Sequence, residues 1–163
     1  MKASIEQFRQ NLVHVHNLAA IHAELRQNNS GLELSDILRA ELVLGVSALD
    51  TFIHELVRLG MVEMLRGQRK RTKYYQDFEV GMNVVKFGDQ NYDWFETEIQ
   101  RRYGEESFQK PSKIADAIKR ISNQFEGPKV DVLWEAVAEK VAQPPDQEYV
   151  KDRLKEIVER RNN

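Results

Sequence analysis

Apolar residues recur every three or four positions along most of the chain, the spacing of one face of an α-helix. In the first such stretch, Ser4 and Gln7 fit a capping box, and the apolar face fades at "RQNNSG". A second, longer stretch runs to about Arg66, with Ser35 as its candidate N-cap, and is apolar over much of its circumference, which predicts a central helix. The predicted faces are Phe8, Leu12, Val15 and Ala19 in the first stretch, and Leu38, Leu42, Val46, Leu49, Ile53 and Leu56 in the second.

The segment 66–90 interrupts this pattern. Its sequence, "RGQRKRTKYYQDFEVGMNVVKFGDQ", has no clean helical period, although apolar residues alternate briefly between Phe78 and Val84. A long loop without structure is unusual inside a compact domain. We therefore expect a short helix, an irregular packed segment or a small hairpin here.

Helical spacing returns after residue 90. A charged stretch there is interpreted as an exposed helix end with local ion pairs; it contains Glu98, Arg101, Arg102, Glu105 and Glu106. Gly104 is a candidate C-cap, Pro111 opens another helix, and Gly127-Pro128 ends it. The helix that follows ends at "QPPD", whose Asp146 can cap the last helix.

The pattern as a whole predicts an all-α fold. We expect a single domain over residues 1–163, an antiparallel helical bundle with a partly irregular segment at 66–90. At 163 residues the chain is long enough to bury a real core.

The composition limits where in the cell the protein can reside and which kinds of binding and catalysis are open to it. The net charge is −2, so nucleic-acid binding requires a local patch, and the absence of cysteine excludes disulfides and thiolate catalysis. The N-terminus "MKASIEQFRQ" has no apolar signal region, and the stretch "LVLGVSALDTFI" is too short to span a bilayer. We expect a cytoplasmic protein without a membrane partner.

Motifs of the common enzyme classes are missing from the sequence. The four histidines, at positions 14, 16, 22 and 54, form no His-x-x-x-His pair, so no metal site is predicted. There is neither a P-loop nor a Gly-x-Ser-x-Gly elbow. No cofactor is predicted.

One dense basic cluster is a candidate RNA-binding site. It contains Arg69, Lys70, Arg71 and Lys73 and is followed by Tyr74-Tyr75. Cations can hold phosphates, and tyrosine rings can stack on unpaired bases. The alternative is a solvated loop that keeps the domain soluble, and composition by itself favours that alternative.

The last helix carries a second candidate. Val150, Leu154, Ile157 and Arg161 follow one another at spacings of four, three and four residues, so they share one face. Arg161 therefore extends a predicted apolar seam, whereas Arg160 belongs to the solvent face. Arginine also suits the negative end of a helix and asparagine can end one, so "RRNN" alone is an ordinary helix end.

Three segments in order resemble the HEPN superfamily: "FQKPSKIADAIKRIS" (108–122), "LWEAVAEKV" (133–141) and "VKDRLKEIVERRNN" (150–163). More narrowly the chain is similar to the RiboL-PSP-HEPN group, which also fits "LRAELVLGVSALDTFIHELV" (38–57). The resemblance extends from about residue 8 to the end. It implies a compact α-helical bundle that dimerises.

The resemblance also implies a function. Many HEPN domains are metal-independent endoribonucleases of toxin–antitoxin, phage-defence and stress systems, with the motif Arg-x(4–6)-His on the last core helix. Arg161-Asn162 match the front of this motif, with Arg161 gripping the scissile phosphate and Asn162 orienting the phosphate, the arginine or the ribose. The implied partners are a second copy, RNA, and an antitoxin or additional domain.

No histidine follows Arg161 in the sequence. We expect a HEPN ribonuclease domain cut just inside its motif, and hence a chain that is inactive or badly impaired. The alternatives are a non-catalytic HEPN module for interaction or RNA binding, and a helical bundle unrelated to HEPN.

Asp50 and His54 are a further pair of interest. They lie four residues apart on the long predicted helix, so their side chains can pair. If the last helix lies beside them, they can also reach the region of Arg161.

Overall fold

The computed structural model describes residues 1–28, 33–88, 91–123, 130–141 and 146–162, without the side chains of 130–132 and 162. Within these residues the chain forms helices and no strand, which confirms the predicted all-α bundle. In chain order the helices are α1 (Lys2–Asn28), α2 (Ser35–Leu65), α3 (Lys73–Gln76), α4 (Asp93–Tyr103), α5 (Pro111–Ile121), α6 (Val130–Val141) and α7 (Gln147–Asn162).

The central element is α2, as its broad apolar surface predicts. It packs against α1, α4, α5 and α7. The hydrophobic core forms where these helices meet, and α2 supplies Ile53, Val57, Met61 and Met64 to it. Burial on α2 begins only at Val46, so the N-terminal part of the predicted apolar face remains outside the core.

Two predicted helix starts are wrong, the first by three residues and the second by one. Because α1 begins at Lys2, Ser4 lies inside the helix and does not cap it. Similarly, Ser35 is already the first residue of α2, and its amide donates to Glu33 Oε1 at 3.1 Å. The Glu33 carboxylate thus satisfies a free amide at this helix start, and the hydrogen bonds from Ser35 lower its pKa.

The predicted cap of the last helix is confirmed. Asp146 Oδ1 accepts hydrogen bonds from the amides of Glu148 and Tyr149 at 2.9 and 3.2 Å. These bonds satisfy two of the free amides at the start of α7. The predicted breaks at Gly127-Pro128 and in "QPP" (143–145) lie outside the described residues.

The segment 66–88 is irregular around the short helix α3, in agreement with the prediction. Thr72 anchors it: the Thr72 hydroxyl accepts from the Tyr75 amide at 3.1 Å and donates to the Arg120 carbonyl at 2.7 Å. The predicted alternation after Phe78 leads to a turn, in which the Val84 amide donates to the Gly81 carbonyl at 2.9 Å. The segment is therefore tied to the end of α5.

The charged stretch at the end of α4 is more buried than its composition indicates. Glu98 is only 4% exposed, and its carboxylate pairs with Arg101 at 2.7 Å and with Arg102 at 3.8 Å. Interpreting this stretch as a wholly exposed helix end is therefore wrong for Glu98. The hydrogen bond from Arg101 holds the pKa of this carboxyl below its ordinary value.

The Glu98 pair predicts a pH dependence of stability. A carboxyl whose pKa is lowered by folding stabilises the protein above its unfolded pKa, about 4.3, and that contribution disappears as the pH falls through the folded value. We expect the free energy of unfolding of Glu98→Gln to change less between pH 5 and pH 3 than that of the wild-type chain. Urea titrations at several pH values measure this. Glu139→Gln, at an exposed position of α6, should keep the wild-type slope; equal slopes for all three chains would contradict the prediction.

Candidate functional site

The last helix lies against α2, α5 and α6, with one face in the core. Val150 and Leu154 pack against the core cluster, and Val158 is 5% exposed. Ile157, predicted to continue the buried seam, is 39% exposed. The buried face of α7 is thus centred on Leu154 and Val158, about a seventh of a helical turn from the predicted position.

The two arginines at the end of α7 differ, as their spacing predicts. Arg160 is exposed and donates to Glu156 at 2.5 Å, and Arg153 donates to the same carboxylate. Arg161 is half-buried, at the C-terminal end of the helix face that carries Val150 and Leu154. Asn162 is the last residue of α7, and its side chain lies outside the described residues together with Asn163.

The basic cluster after α2 divides into one structural and three exposed cations. The Arg69 guanidinium pairs with Glu63 at 2.8 Å and donates to the Ile121 carbonyl at 3.1 Å, so it joins the end of α2 to the end of α5. Lys70, Arg71 and Lys73 are exposed. These three remain accessible to an anionic partner, whereas the guanidinium of Arg69 is engaged in contacts within the fold.

An aromatic surface adjoins the three exposed cations. Tyr74 is 47% exposed, while Tyr75 is half-buried with the Arg71 guanidinium 5.4 Å from its ring centroid. The structure thus places a tyrosine beside cations on one surface. Cations beside an aromatic ring can contact the phosphates and bases of single-stranded nucleic acid.

Asp50 and His54 hold the connection between α4 and α5. Asp50 Oδ1 accepts from the Phe108 amide at 2.5 Å, and His54 Nε2 lies 2.9 Å from the Glu106 carbonyl oxygen. Since a carbonyl only accepts, that nitrogen carries the proton in this contact. The His54 ring also packs on Phe108, with 4.5 Å between centroids. These contacts give both residues a structural role, and the contacts described for them are with this connection, not with Arg161.

A polar cleft of about 610 Å³ lies between the start of α1, α2 and α4. Its charged lining includes Arg58, which donates to Glu55 at 2.8 Å and forms an ion pair with Glu96. The hydrogen bond from Arg58 lowers the pKa of Glu55, and burial raises the pKa of Tyr103 at the same cleft. Sequence spacing can reveal the pairing of residues 55 and 58, but Glu96 reaches Arg58 only through the packing of α4 on α2.

Two absences apply to the described part of the chain. No group of three or more histidines and carboxylates there is arranged to hold a metal ion. In the same part, no helix is both long enough and apolar enough to cross a bilayer.

Comparison with protein-family models, with curated proteins and with solved structures found no match for this chain. Its candidate sites are therefore interpreted from their own geometry and from the motifs in the sequence.

Proposed function

We propose that this chain is a HEPN-type domain of the RiboL-PSP-HEPN group and that it contributes Arg161 and Asn162 to a metal-independent endoribonuclease site. The observation that supports this most directly is the position of α7. This helix packs along α2, and Arg161 is half-buried beside the core seam while Arg160 pairs with Glu156 in solvent. Partial burial restricts the directions that the Arg161 side chain can take, which favours a phosphate-binding role.

The chemistry follows from cleavage of RNA by its own 2′-hydroxyl. Arg161 grips the scissile phosphate and stabilises the charge that grows on it in the transition state. Proton transfer needs a group with a pKa near 7, for which histidine is suited. The histidines of the 163 residues all precede Arg161, so the proposed site requires one placed five to seven positions after it. The expected products carry 2′,3′-cyclic phosphate and 5′-hydroxyl ends.

A second copy of the chain completes the proposed site. The outer side of α7 carries Tyr149, which is 54% exposed, and Ile157, which is 39% exposed. Both are apolar or aromatic and lie on the helix that carries Arg161. Two such helices that meet in a symmetric dimer bring two Arg161 side chains into one positively charged cleft. A toxin–antitoxin, defence or stress role in the cytoplasm, with an antitoxin or additional domain as partner, is part of this proposal.

A gain-of-function experiment tests the proposed nuclease. The 163-residue chain is compared with a chain extended so that a histidine stands five residues after Arg161, on a random-sequence RNA pool in EDTA. We expect cleavage only by the extended chain, with cyclic-phosphate ends. Arg161→Ala should lower its rate about 100-fold, because one charge-stabilising donor is lost. A fully 2′-deoxy substrate should remain intact.

The neighbouring arginine provides the matched control. Arg160→Ala removes the same charge from the same helix turn, but from the solvent face, so it should change the cleavage rate less than about threefold. Equal losses from both substitutions would contradict the proposed role of Arg161.

The second candidate function is a non-catalytic module for RNA binding or interaction. The exposed Lys70, Arg71 and Lys73 beside Tyr74 favour it. The same experiment separates the two functions: a module retains RNA in a salt-dependent manner but does not cleave it even in the extended form. If the extended chain neither cleaves nor retains RNA, both candidate functions are contradicted.

A further inference from the structure

A second cavity, of about 480 Å³, lies between the start of α5, Trp134 of α6 and the face of α7 that carries Lys151, Lys155 and Val158. Its volume is in the range of pockets that hold small organic ligands. The residues that line it are Lys110, Pro111, Ser112, Trp134, Lys151, Lys155, Val158 and Glu159. None of these residues belongs to the proposed RNA site or to the contacts of Asp50 and His54.

The floor of this cavity is apolar. Trp134 and Val158 are each 5% exposed, and Pro111 is buried. An indole, an isopropyl group and a proline ring form a surface that excludes water but accepts flat apolar groups. The floor therefore suits the hydrocarbon body of a ligand.

The rim of the cavity is basic. Three lysines line it, against one acidic residue, Glu159. Lys151 pairs with Glu148 at 2.8 Å and Lys155 pairs with Asp152 at 2.9 Å. These are pairs between residues three apart on one helix, which a stronger acceptor can compete with.

Lys110, the third of these lysines, lies at the start of α5. Among the described residues it has no ion pair, and as the N-cap residue it makes no capping hydrogen bond with its side chain. Pro111 has no amide hydrogen, and the first backbone bond described at this helix start is from the Ile114 amide to the Lys110 carbonyl. The amide of Ser112 is thus at the rim without an acceptor among the described residues, at the positive end of the helix dipole.

We propose that this cavity binds a small organic anion with a flat apolar body and a single acidic group. The apolar body lies on Trp134, and the acidic group lies among Lys110, Lys155 and the start of α5. Charge complementarity favours an anion at the start of α5, because Lys110 and the helix N-terminus place positive charge there, whereas Lys151 and Lys155 have carboxylate partners. This proposal is independent of the proposed nuclease.

Nuclear magnetic resonance with matched probes tests the proposal. The chain has two tryptophans, so its indole N–H groups give two peaks, and Trp94→Phe identifies that of Trp134. The probes are 2-naphthalenesulfonate, the neutral 2-naphthalenemethanol and inorganic phosphate. We expect the sulfonate to shift the Trp134 peak. The Kd obtained from this shift should be about tenfold below the Kd of either other probe, since only the sulfonate combines a flat apolar body with an acidic group.

Three variants locate the binding. Lys110→Gln should raise the Kd of the sulfonate about fivefold, because one charge-assisted contact is lost. Lys86→Gln, which removes an exposed lysine that does not line the cavity, should change the Kd less than about twofold. Ser112→Phe fills the mouth from an exposed position and should weaken binding at least about tenfold without affecting the fold.

Several results would overturn the proposal. One is equal affinity for the sulfonate and the alcohol, or for the sulfonate and phosphate. Another is an equal effect of Lys110→Gln and Lys86→Gln. A shift of the Trp94 peak alone would place the probe elsewhere on the protein.

Discussion

Phe108→Ala is expected to lower the free energy of unfolding by about 3–5 kcal/mol, the loss typical of a phenylalanine removed from a packed interior. Phe108 lies between α4 and α5, outside any helix, yet its side chain is completely buried. Its amide donates to Asp50, its ring packs on His54, and the Arg120 guanidinium lies 5.4 Å from its centroid. Removing the ring leaves a cavity that these anchored neighbours are poorly able to fill.

The control is another phenylalanine outside the helices. Phe87 is 81% exposed, so Phe87→Ala should change the free energy of unfolding by less than about 0.5 kcal/mol. Urea denaturation of the three chains measures both values. Similar costs for the two substitutions would mean that the 104–110 connection does not pack as described.

The second prediction concerns the contact between α2 and α5. A Cβ atom at Gly60 would lie 2.5 Å from Cγ2 and 2.7 Å from Cβ of Ile121, so the two helices pack too closely for any side chain there. Gly60→Ala should therefore lower the free energy of unfolding by about 2 kcal/mol. Overpacking accounts for up to about 3 kcal/mol, and the better helix propensity of alanine offsets about 1 kcal/mol.

The matched control is the same substitution fifteen residues earlier on the same helix. A Cβ atom at Gly45 would meet only Val15 Cγ1, at 3.9 Å, which is ordinary contact. Gly45→Ala should therefore stabilise the chain by about 1 kcal/mol through helix propensity alone. In thermal or urea unfolding the two variants should move in opposite directions.

A double variant tests the cause. If Ile121 is the obstacle, Gly60→Ala should cost less in an Ile121→Ala background than in the wild-type chain. An equal cost in both backgrounds would assign the clash to the Cβ atom of residue 121, which alanine keeps, whereas a stabilising Gly60→Ala would contradict the close packing of α2 on α5.

The candidate site was only partly predictable from the sequence. The separation of Arg160 from Arg161 and the cap at Asp146 depend on residues within about one helical turn, so spacing was enough to predict them. The exposure of Ile157 depends on which neighbouring helices cover α7, and its spacing does not contain that information.

The same limit applies to the charged residues. Arg69 looks like its neighbours in a basic run, but its partners Glu63 and Ile121 come from two different helices. Glu98 is buried because α4 packs on α2, although composition places it in an exposed charged stretch. Both assignments require contacts between elements that are distant in sequence.

The sequence by itself determined the helices, the central position of α2 and the difference between the two terminal arginines, because these follow from periodicity and from contacts within a few residues. Only the tertiary structure decided which of two loop phenylalanines is buried, which glycine admits a neighbouring helix, and that Trp134 and the start of α5 enclose a cavity with α7. These outcomes depend on which surfaces meet, and the free energy of that packing comes from residues far apart in the chain.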